Sequence, residues 1–329
     1  MAEITVLGAG SWALGISILL NDNGHKVTVW SALPEEIQLL KEKRENPKYL
    51  PGVRISESIQ LTDDLEEAVS GFDLIIMAVA SKFTRETAQR LKGLIPDGSI
   101  IVNVAKGIEA GSLYTLSEII EEELPAAKVC VLSGPSHAEE VARRMPTLVT
   151  VASKNDETAK YLQEIFASPV FRVYTSSDVV GIEIGGALKN VIALAAGMGD
   201  GLGYGDNVKA ALITRGIHEI SHLAIKMGAK IETLYGLSGM GDLIVTCDSM
   251  HSRNRRAGIL IGQGKSMDEA IAEVNMVVEG IVSAKAAKDL AEKYGVEMPI
   301  VDQVNQVLFE GLDPREGVDN LMMRDLKAE

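Results

Sequence analysis

The sequence predicts an α/β protein in which a doubly wound, mostly parallel sheet is followed by an all-helical domain. In the first half of the chain, short β-branched runs alternate with helical patterns, as in sheets built from strand–helix–strand units. A glycine-rich turn directly follows the first of these runs. After about Ser177 the strand pattern ends, and helical periodicity continues to the C-terminus. We therefore expect a sheet domain over residues 1–178 and a helical domain over residues 179–329.

The expected strands are apolar, β-branched runs that are bounded by turn residues or helical patterns. They are Ile4–Leu7, Lys26–Trp30, Leu74–Val79, Ile100–Val104, Val129–Leu132, Leu148–Ala152 and Phe171–Tyr174. Helices between them include Lys82–Leu94 and Leu116–Glu122, and the loop Asn46–Gly52 is expected to be a surface excursion. The helical domain is expected to contain Asp178–Met198, Lys209–Met227, Asn254–Gly262, Met267–Val274, Ile281–Tyr294 and Pro299–Glu310.

Composition excludes several classes of protein. The chain has 329 residues, 46% of them hydrophobic, and a formal net charge of −14. Such an acidic chain does not suit nucleic acid or an anionic membrane surface as its main partner. A small anion remains possible, because salt screens distant charges beyond about 8 Å. The chain shows no secretion signal or membrane-length apolar run, and Cys130 and Cys247 resemble reduced core residues, so we expect a cytoplasmic protein.

The glycine-rich turn is the pattern of a dinucleotide site. Gly8 permits a tight turn after the first strand, Gly10 lets the backbone approach a pyrophosphate, and the small Ala13 permits close helix packing. Because this turn opens a strand–helix–strand unit, it predicts a Rossmann-like NAD or NADP site. The second strand ends in Trp30-Ser31-Ala32-Leu33, which offers neither an acid for a ribose hydroxyl nor an arginine for a 2′-phosphate. The choice between NAD and NADP therefore stays open.

A cluster of positive charge lies in the helical domain. Ser252-Arg253-Asn254-Arg255-Arg256 follows a glycine-rich turn and opens a new helix. Guanidinium groups and free N–H groups at a helix start suit a phosphate or carboxylate, whereas the alternative is a solvated basic helix start. We expect Arg255 and Arg256 to be solvated, because they lie outside the Ser-Arg-Asn motif.

Two lysines are candidates for chemistry. Lys106 follows the Ile100–Val104 strand, at the sheet edge where such folds bind ligands. Lys189 lies on a helix that is apolar nearly all round, and burial would lower its pKa toward the range useful for proton transfer. The alternatives are a loop lysine in solvent and a lysine that extends to the surface from the helix flank.

Other polar residues are less distinctive. Asn190 could hold a hydroxyl or carbonyl beside Lys189, and Asp242 could simply cap a helix. Thr246 is an ordinary polar residue unless its loop forms a site. The histidines lack the spacing of a metal site or a hydrolase triad, so we predict no metal site.

Taken together, these segments resemble the bacterial NAD(P)-dependent glycerol-3-phosphate dehydrogenases over nearly the whole chain. The order and spacing of many short motifs carry the resemblance. They are Gly8–Trp12, Asn46–Gly52, Asn103–Glu109, Ser133–Glu140, Ala187–Asn190, Gly205–Gly216, Gly236–Cys247, Ser252–Asn254 and Val277–Gly280. Two departures stand out: Ala13-Leu14-Gly15 replaces the family's usual Gly-Thr-Ala, and no basic residue follows the second strand.

The resemblance implies reversible reduction of dihydroxyacetone phosphate to sn-glycerol 3-phosphate by NADH or NADPH, which would supply phospholipid synthesis. It implies that Lys189 is the catalytic proton-transfer residue. Apart from the resemblance, the apolar helices of the helical domain favour a homodimer. Substrate contacts would come from Lys106, Gly134, Ser136, Lys189, Asp242, Ser252, Arg253 and Asn254. Cofactor contacts would come from Gly8, Gly10, Ser11, Trp12, Lys106, Ala138, Arg253, Val277 and Glu279.

Two other functions fit parts of the sequence. A dehydrogenase of β-hydroxyacids or keto acids shares the two-domain plan and a Lys-Asn pair, and it would bind a carboxylate at Arg253. A dinucleotide sensor without catalysis would lack a proton donor, which the presence of Lys189 on a buried helix disfavours.

Overall fold

A computed structural model describes residues 1–326 and 328, and its first part is an eight-stranded sheet. The strand order is β3-β2-β1-β4-β5-β6-β7-β8, and every neighbouring pair is parallel except β6 and β7. The strands are β1 Glu3–Leu7, β2 Lys26–Trp30, β3 Gln60–Thr62, β4 Leu74–Met77, β5 Ile100–Asn103, β6 Lys128–Ser133, β7 Thr147–Ser153 and β8 Phe171–Ser176. The doubly wound, mostly parallel sheet is thus confirmed. Only β3 was not expected, because three residues are too short for a visible pattern.

Helices cover both faces of this sheet over two apolar clusters. Local caps define several of their starts: Thr115 and Glu118 form a reciprocal capping box, and the Asn155 side chain accepts the Thr158 N–H. The helices are α1 Ser11–Asp22, α2 Pro34–Lys43, α3 Leu65–Ala68, α4 Thr84–Arg90, α5 Leu116–Glu123, α6 Ala138–Ala142 and α7 Asp156–Phe166.

The remainder of the chain is helical, as expected. Its helices are α8 Val179–Gly201, α9 Asp206–Lys226, α10 Ile231–Leu234, α11 Asp242–Asp248, α12 Arg253–Gly262, α13 Met267–Val274, α14 Glu279–Tyr294, α15 Pro299–Asn305 and α16 Pro314–Met322. The expectation that no apolar run is of membrane length is wrong for α8, which is long and apolar enough to cross a membrane. However, 94% of its most apolar window is buried inside the protein. It is therefore the core helix of this part of the molecule, which explains its nearly uniform hydrophobicity.

The chain forms two compact units that are not two simple halves. The first unit contains Met1–Ala105 and Tyr114–Val179, and the second contains Lys106–Leu113 together with the chain from Val180 onward. The sequence placed a single boundary at residue 178, so it did not predict that the segment Lys106–Leu113 belongs to the second unit. The physical cause is apolar packing, because Ile108 is only 3% exposed within the helical core. Lys106 therefore belongs to the second unit.

Candidate active site

The glycine turn has the backbone that a dinucleotide site requires. Gly8 has φ +123°, and a Cβ added there would lie 2.7 Å from the carbonyl oxygen of Ala78. A Cβ added to Gly10 would meet no atom within 4 Å, so the space over the turn is open. Helix α1 then starts at Ser11 without a side-chain cap or an acid in its first turn. Its first N–H groups are available to a pyrophosphate, and the turn fits a bound dinucleotide.

The start of α1 also explains the departure from the family pattern. Trp12 packs against the core cluster of the first unit. Gly15 faces α6, where an added Cβ would lie 3.2 Å from the carbonyl oxygen of Ala138. Ala138 opens α6 and is 7% exposed. The displaced glycine therefore lets α1 and α6 approach closely.

An acidic side chain lies at the end of β2, where the sequence analysis found none. The Gly8 N–H donates to the carbonyl oxygen of Trp30 at 2.8 Å, so Ser31 comes next at the same edge. The buried Ser31 hydroxyl donates to Oε2 of Glu36 at 2.6 Å. The carboxylate of Glu36 thus lies at the end of β2, although β2 itself contains no acidic residue there. The sequence did not indicate it, because Glu36 lies five residues downstream in the first turn of α2.

Gly134 and Ser136 lie after β6 in the first unit. Gly134 has φ +147°, and an added Cβ would lie 2.9 Å from the Cα of Val149. The Ser136 hydroxyl donates to the carbonyl oxygen of Gly134 at 3.0 Å. The close approach of β7 is therefore a sufficient structural reason for glycine at position 134. The predicted substrate contacts of both residues stay predictions.

In the second unit, Asp242 bridges the two lysines that the sequence singled out. Lys189 donates to its Oδ1 at 2.5 Å, and Lys106 donates to its Oδ2 at 2.6 Å. The Lys189 ammonium also donates to the Thr246 hydroxyl at 2.6 Å. Thr246 in turn donates its own proton to the carbonyl oxygen of Asp242 at 2.6 Å. Its oxygen can therefore only accept from Lys189, and this fixes the orientation of the ammonium group.

Lys189 and Asp242 are buried, Lys106 is partly exposed, and the cluster of the three carries net positive charge. Lys189 is 6% exposed and Asp242 is 1% exposed. Burial lowers the pKa of Lys189 to about 7, and the attraction of Asp242 only partly opposes that shift. Burial alone would raise the pKa of Asp242, but the two lysines outweigh it and hold that pKa below its ordinary value. With the carboxylate ionised, a charged Lys189 and Lys106 leave one positive charge in excess, which suits an oxyanion.

The predicted anion site opens α12. Ser252 is the N-cap, and its buried hydroxyl oxygen accepts the Arg255 N–H at 3.2 Å. Its hydroxyl proton remains available to a phosphate oxygen. Within residues 1–326 and 328, the Arg253 guanidinium has no hydrogen bond or ion pair. Arg253 is therefore the arginine next to the N-cap that can bind an anion.

The expectation that Arg255 is solvated is wrong. Its side chain is 13% exposed and forms an ion pair with Asp200 at 2.7 Å. The guanidinium also donates to the carbonyl oxygen of Asp248 at 2.5 Å, and Lys209 lies 3.1 Å from Asp200. Arg255 thus ties α12 to α8 and to the end of α11. Periodicity could not indicate this, because the partner lies 55 residues earlier in the chain.

Asn254 is largely occupied by structural contacts. Its Nδ2 donates to Oδ1 of Asn190 at 2.9 Å, and its Oδ1 accepts the Gly280 N–H at 2.8 Å. The segment after α13 is thereby attached to the start of α12. Val277 is 40% exposed in that segment, and Glu279 begins α14.

In the described part of the chain, no cluster of three metal-ligating side chains is present.

Comparison with known proteins identifies the family. The family described as NAD-dependent glycerol-3-phosphate dehydrogenase matches with its N-terminal part over residues 3–159 and its C-terminal part over residues 178–319.

Two bacterial relatives, both named glycerol-3-phosphate dehydrogenase of the NAD(P)+ type, are 58% identical to this chain. The protein of Agathobacter rectalis matches over 100% of this chain and 98% of its own length, and that of Fusobacterium nucleatum over 100% and 99%. The crystal structure of glycerol-3-phosphate dehydrogenase from Coxiella burnetii matches with a TM-score of 0.95 at 38% identity, over 98% of this chain and 99% of that one. This chain therefore belongs to the NAD-dependent glycerol-3-phosphate dehydrogenase family.

Proposed function

We propose that this protein is an oxidoreductase that reversibly reduces dihydroxyacetone phosphate to sn-glycerol 3-phosphate with NADH or NADPH. The observation that carries the proposal is the cluster in which Asp242 joins Lys189 to Lys106. A buried amine with a pKa of about 7 can exchange a proton near neutral pH. The names of the relatives supply the substrate and the two cofactors.

Lys189 is assigned the proton transfer. Asp242 and Thr246 occupy two of its three N–H groups, and the third is left for the substrate oxygen. When bound, the dinucleotide supplies or accepts the hydride at C2 of the substrate. In reduction, the Lys189 proton passes to the C2 oxygen, and the positive charges of Lys189 and Lys106 stabilise that oxygen as its charge develops. In oxidation, neutral Lys189 accepts the same proton.

The start of α12 is assigned the phosphate. Arg253 provides a free guanidinium, and Ser252 provides a hydroxyl proton beside it. The remaining N–H of Asn254 adds a further donor. Gly134, Ser136 and Lys106 are assigned to the substrate by family resemblance alone. The same holds for Trp12, Ala138, Arg253, Val277 and Glu279 as cofactor contacts.

We further assign the protein to the cytoplasm as a homodimer that supplies glycerol phosphate for phospholipid synthesis. Apolar side chains on the surface of the second unit support association: Tyr235 is 60% exposed and Phe309 is 46% exposed. Sedimentation velocity at micromolar concentration tests the dimer, since a concentration-independent monomer would contradict it.

The decisive experiment measures initial rates of NADH and NADPH oxidation, side by side, with dihydroxyacetone phosphate. Parallel reactions contain a β-hydroxyacid with the oxidised cofactor, or a keto acid with the reduced one. We expect turnover of the phosphorylated ketone only, and its loss in Lys189→Ala. Turnover of the acids without turnover of dihydroxyacetone phosphate would overturn the proposal.

A further inference from the structure

We infer that Glu36 is a specificity-determining residue that makes this protein prefer NADH to NADPH. The inference rests on the proposed function for its cofactor, and it deepens that function by choosing between the two dinucleotides. Its basis is the carboxylate that Ser31 holds at the end of β2.

The position follows from the glycine turn. In strand–turn–helix units of this kind, the pyrophosphate lies over the turn and the adenosine ribose lies at the end of the second strand. Here the turn is joined to that strand end directly, through the hydrogen bond from Gly8 to Trp30. Leu7 and Trp30 are paired in the β1–β2 register, so Ser31 is the first residue beyond the paired edge. A group held by the Ser31 side chain therefore lies where the ribose 2′ position is recognised.

The orientation of the carboxylate is fixed. Ser31 is 5% exposed, and its hydroxyl oxygen accepts the Leu33 N–H at 3.2 Å. Its single proton is thereby directed to Oε2 of Glu36. The other oxygen, Oε1, makes no hydrogen bond with any residue that the structure describes. It remains available to accept a hydrogen bond from a ribose 2′-hydroxyl.

The charge of Glu36 is not neutralised. Across residues 1–326 and 328, no lysine, arginine or histidine forms an ion pair with it. Ser31, Ala32 and Leu33 bring no positive charge to this edge either. A 2′-phosphate carries about −1.5 to −2 charges at neutral pH, so it would meet an unpaired carboxylate. NADH gains a charge-assisted hydrogen bond at the point where NADPH is repelled.

The test measures dissociation constants of NADH and NADPH without substrate, by cofactor fluorescence, for the unmodified protein, Glu36→Gln and Glu35→Gln. Glu35 is the matched control, because it is exposed, lies one residue earlier and has no bond to Ser31. We expect the unmodified protein to bind NADH at least about ten-fold more tightly. Glu36→Gln should reduce that ratio by about ten-fold to one hundred-fold, the effect of one charge-assisted hydrogen bond. Glu35→Gln should change it less than about three-fold, since an exposed charge at a distance is screened.

A second variant tests the positioning by Ser31. Ser31→Ala retains the Glu36 charge but removes the hydrogen bond that orients it, so it should lose part of the NADH preference. The inference is overturned if the unmodified protein binds NADPH as tightly as NADH, or if Glu36→Gln and Glu35→Gln change the ratio equally. Cofactor binding is measured without turnover, so the two proposals can fail separately. If the protein binds NADH more tightly than NADPH as expected but does not reduce dihydroxyacetone phosphate, only the proposed function is refuted.

Discussion

Replacement of Asp242 by Asn tests how the cluster sets the protonation of Lys189. The change keeps the size of the side chain but removes the negative charge that both lysines share. If Lys189 donates the proton in reduction, activity is present below its pKa and is lost as pH rises through it. For the unmodified protein this loss is centred near pH 7, where burial places the pKa of Lys189. Without Asp242 the charged form of Lys189 is less stable, so the loss should begin at lower pH.

The magnitude follows from the hydrogen bond that is lost. A bond to a charged group contributes about 1.5–3 kcal/mol, and one pKa unit corresponds to about 1.4 kcal/mol. The pKa of Lys189 should therefore fall by about one to two units. At pH 7 the protonated fraction would drop from about one half to about 1–10%, so kcat for reduction should fall about five-fold to fifty-fold. Most of that loss should be recovered near pH 5.

The assay is kcat for dihydroxyacetone phosphate reduction between pH 5 and 9, at saturating cofactor. Glu219→Gln is the control, because it is the same acid-to-amide change at a buried position of the second unit. The Glu219 carboxylate accepts the Ile300 N–H at 2.9 Å, and in the described part of the chain it forms no hydrogen bond or ion pair with the lysine cluster. The control should leave the midpoint of the profile in place. A loss in Asp242→Asn that is equal at every pH would refute the reasoning, since Asp242 would then not act through the pKa of Lys189.

Four further variants test the remaining parts of the site. Lys189→Ala should lower kcat about 10²–10⁴-fold with an unchanged dissociation constant for NADH, and an active variant would exclude the proton-transfer role. Arg253→Ala should raise KM for dihydroxyacetone phosphate far more than it raises KM for unphosphorylated dihydroxyacetone. A larger rise of KM for dihydroxyacetone phosphate in the control Arg256→Ala would show that Arg256, not Arg253, binds the phosphate. Arg255→Ala should lower the free energy of unfolding by about 2 kcal/mol in urea titrations, a value between those of exposed and buried ion pairs. An unchanged free energy of unfolding would show that the ion pair with Asp200 does not stabilise the protein. Gly258→Ala should lower the free energy of unfolding by about 1–3 kcal/mol and should also lower kcat/KM. Gly205→Ala is the control, because a Cβ added there meets no atom within 4 Å, and it should leave both quantities unchanged.

The sequence predicted the fold and the burial of Lys189, because both leave local patterns. Alternation and periodicity located all but one strand, and the apolar surroundings of Lys189 indicated its burial. Partners that are distant in sequence left no such pattern. The contact of Arg255 with Asp200 and the return of Glu36 to Ser31 depend on how helices are placed in three dimensions. Such contacts decide whether a charged residue is available to a ligand, so the sequence alone could not show that Arg255 is paired rather than solvated.

The packing of α8 against α12 shows how the two parts of the proposed substrate site are held at a fixed separation. Lys189 lies on α8, and Arg253 begins α12. An added Cβ on Gly197 would lie 2.2 Å from the carbonyl oxygen of Arg255, and one on Gly258 would lie 2.2 Å from that of Leu194. The two backbones are therefore in direct contact, and no side chain between them can adjust their spacing. Since dihydroxyacetone phosphate is a short molecule with its carbonyl close to its phosphate, such rigid spacing can select for the distance between the two groups.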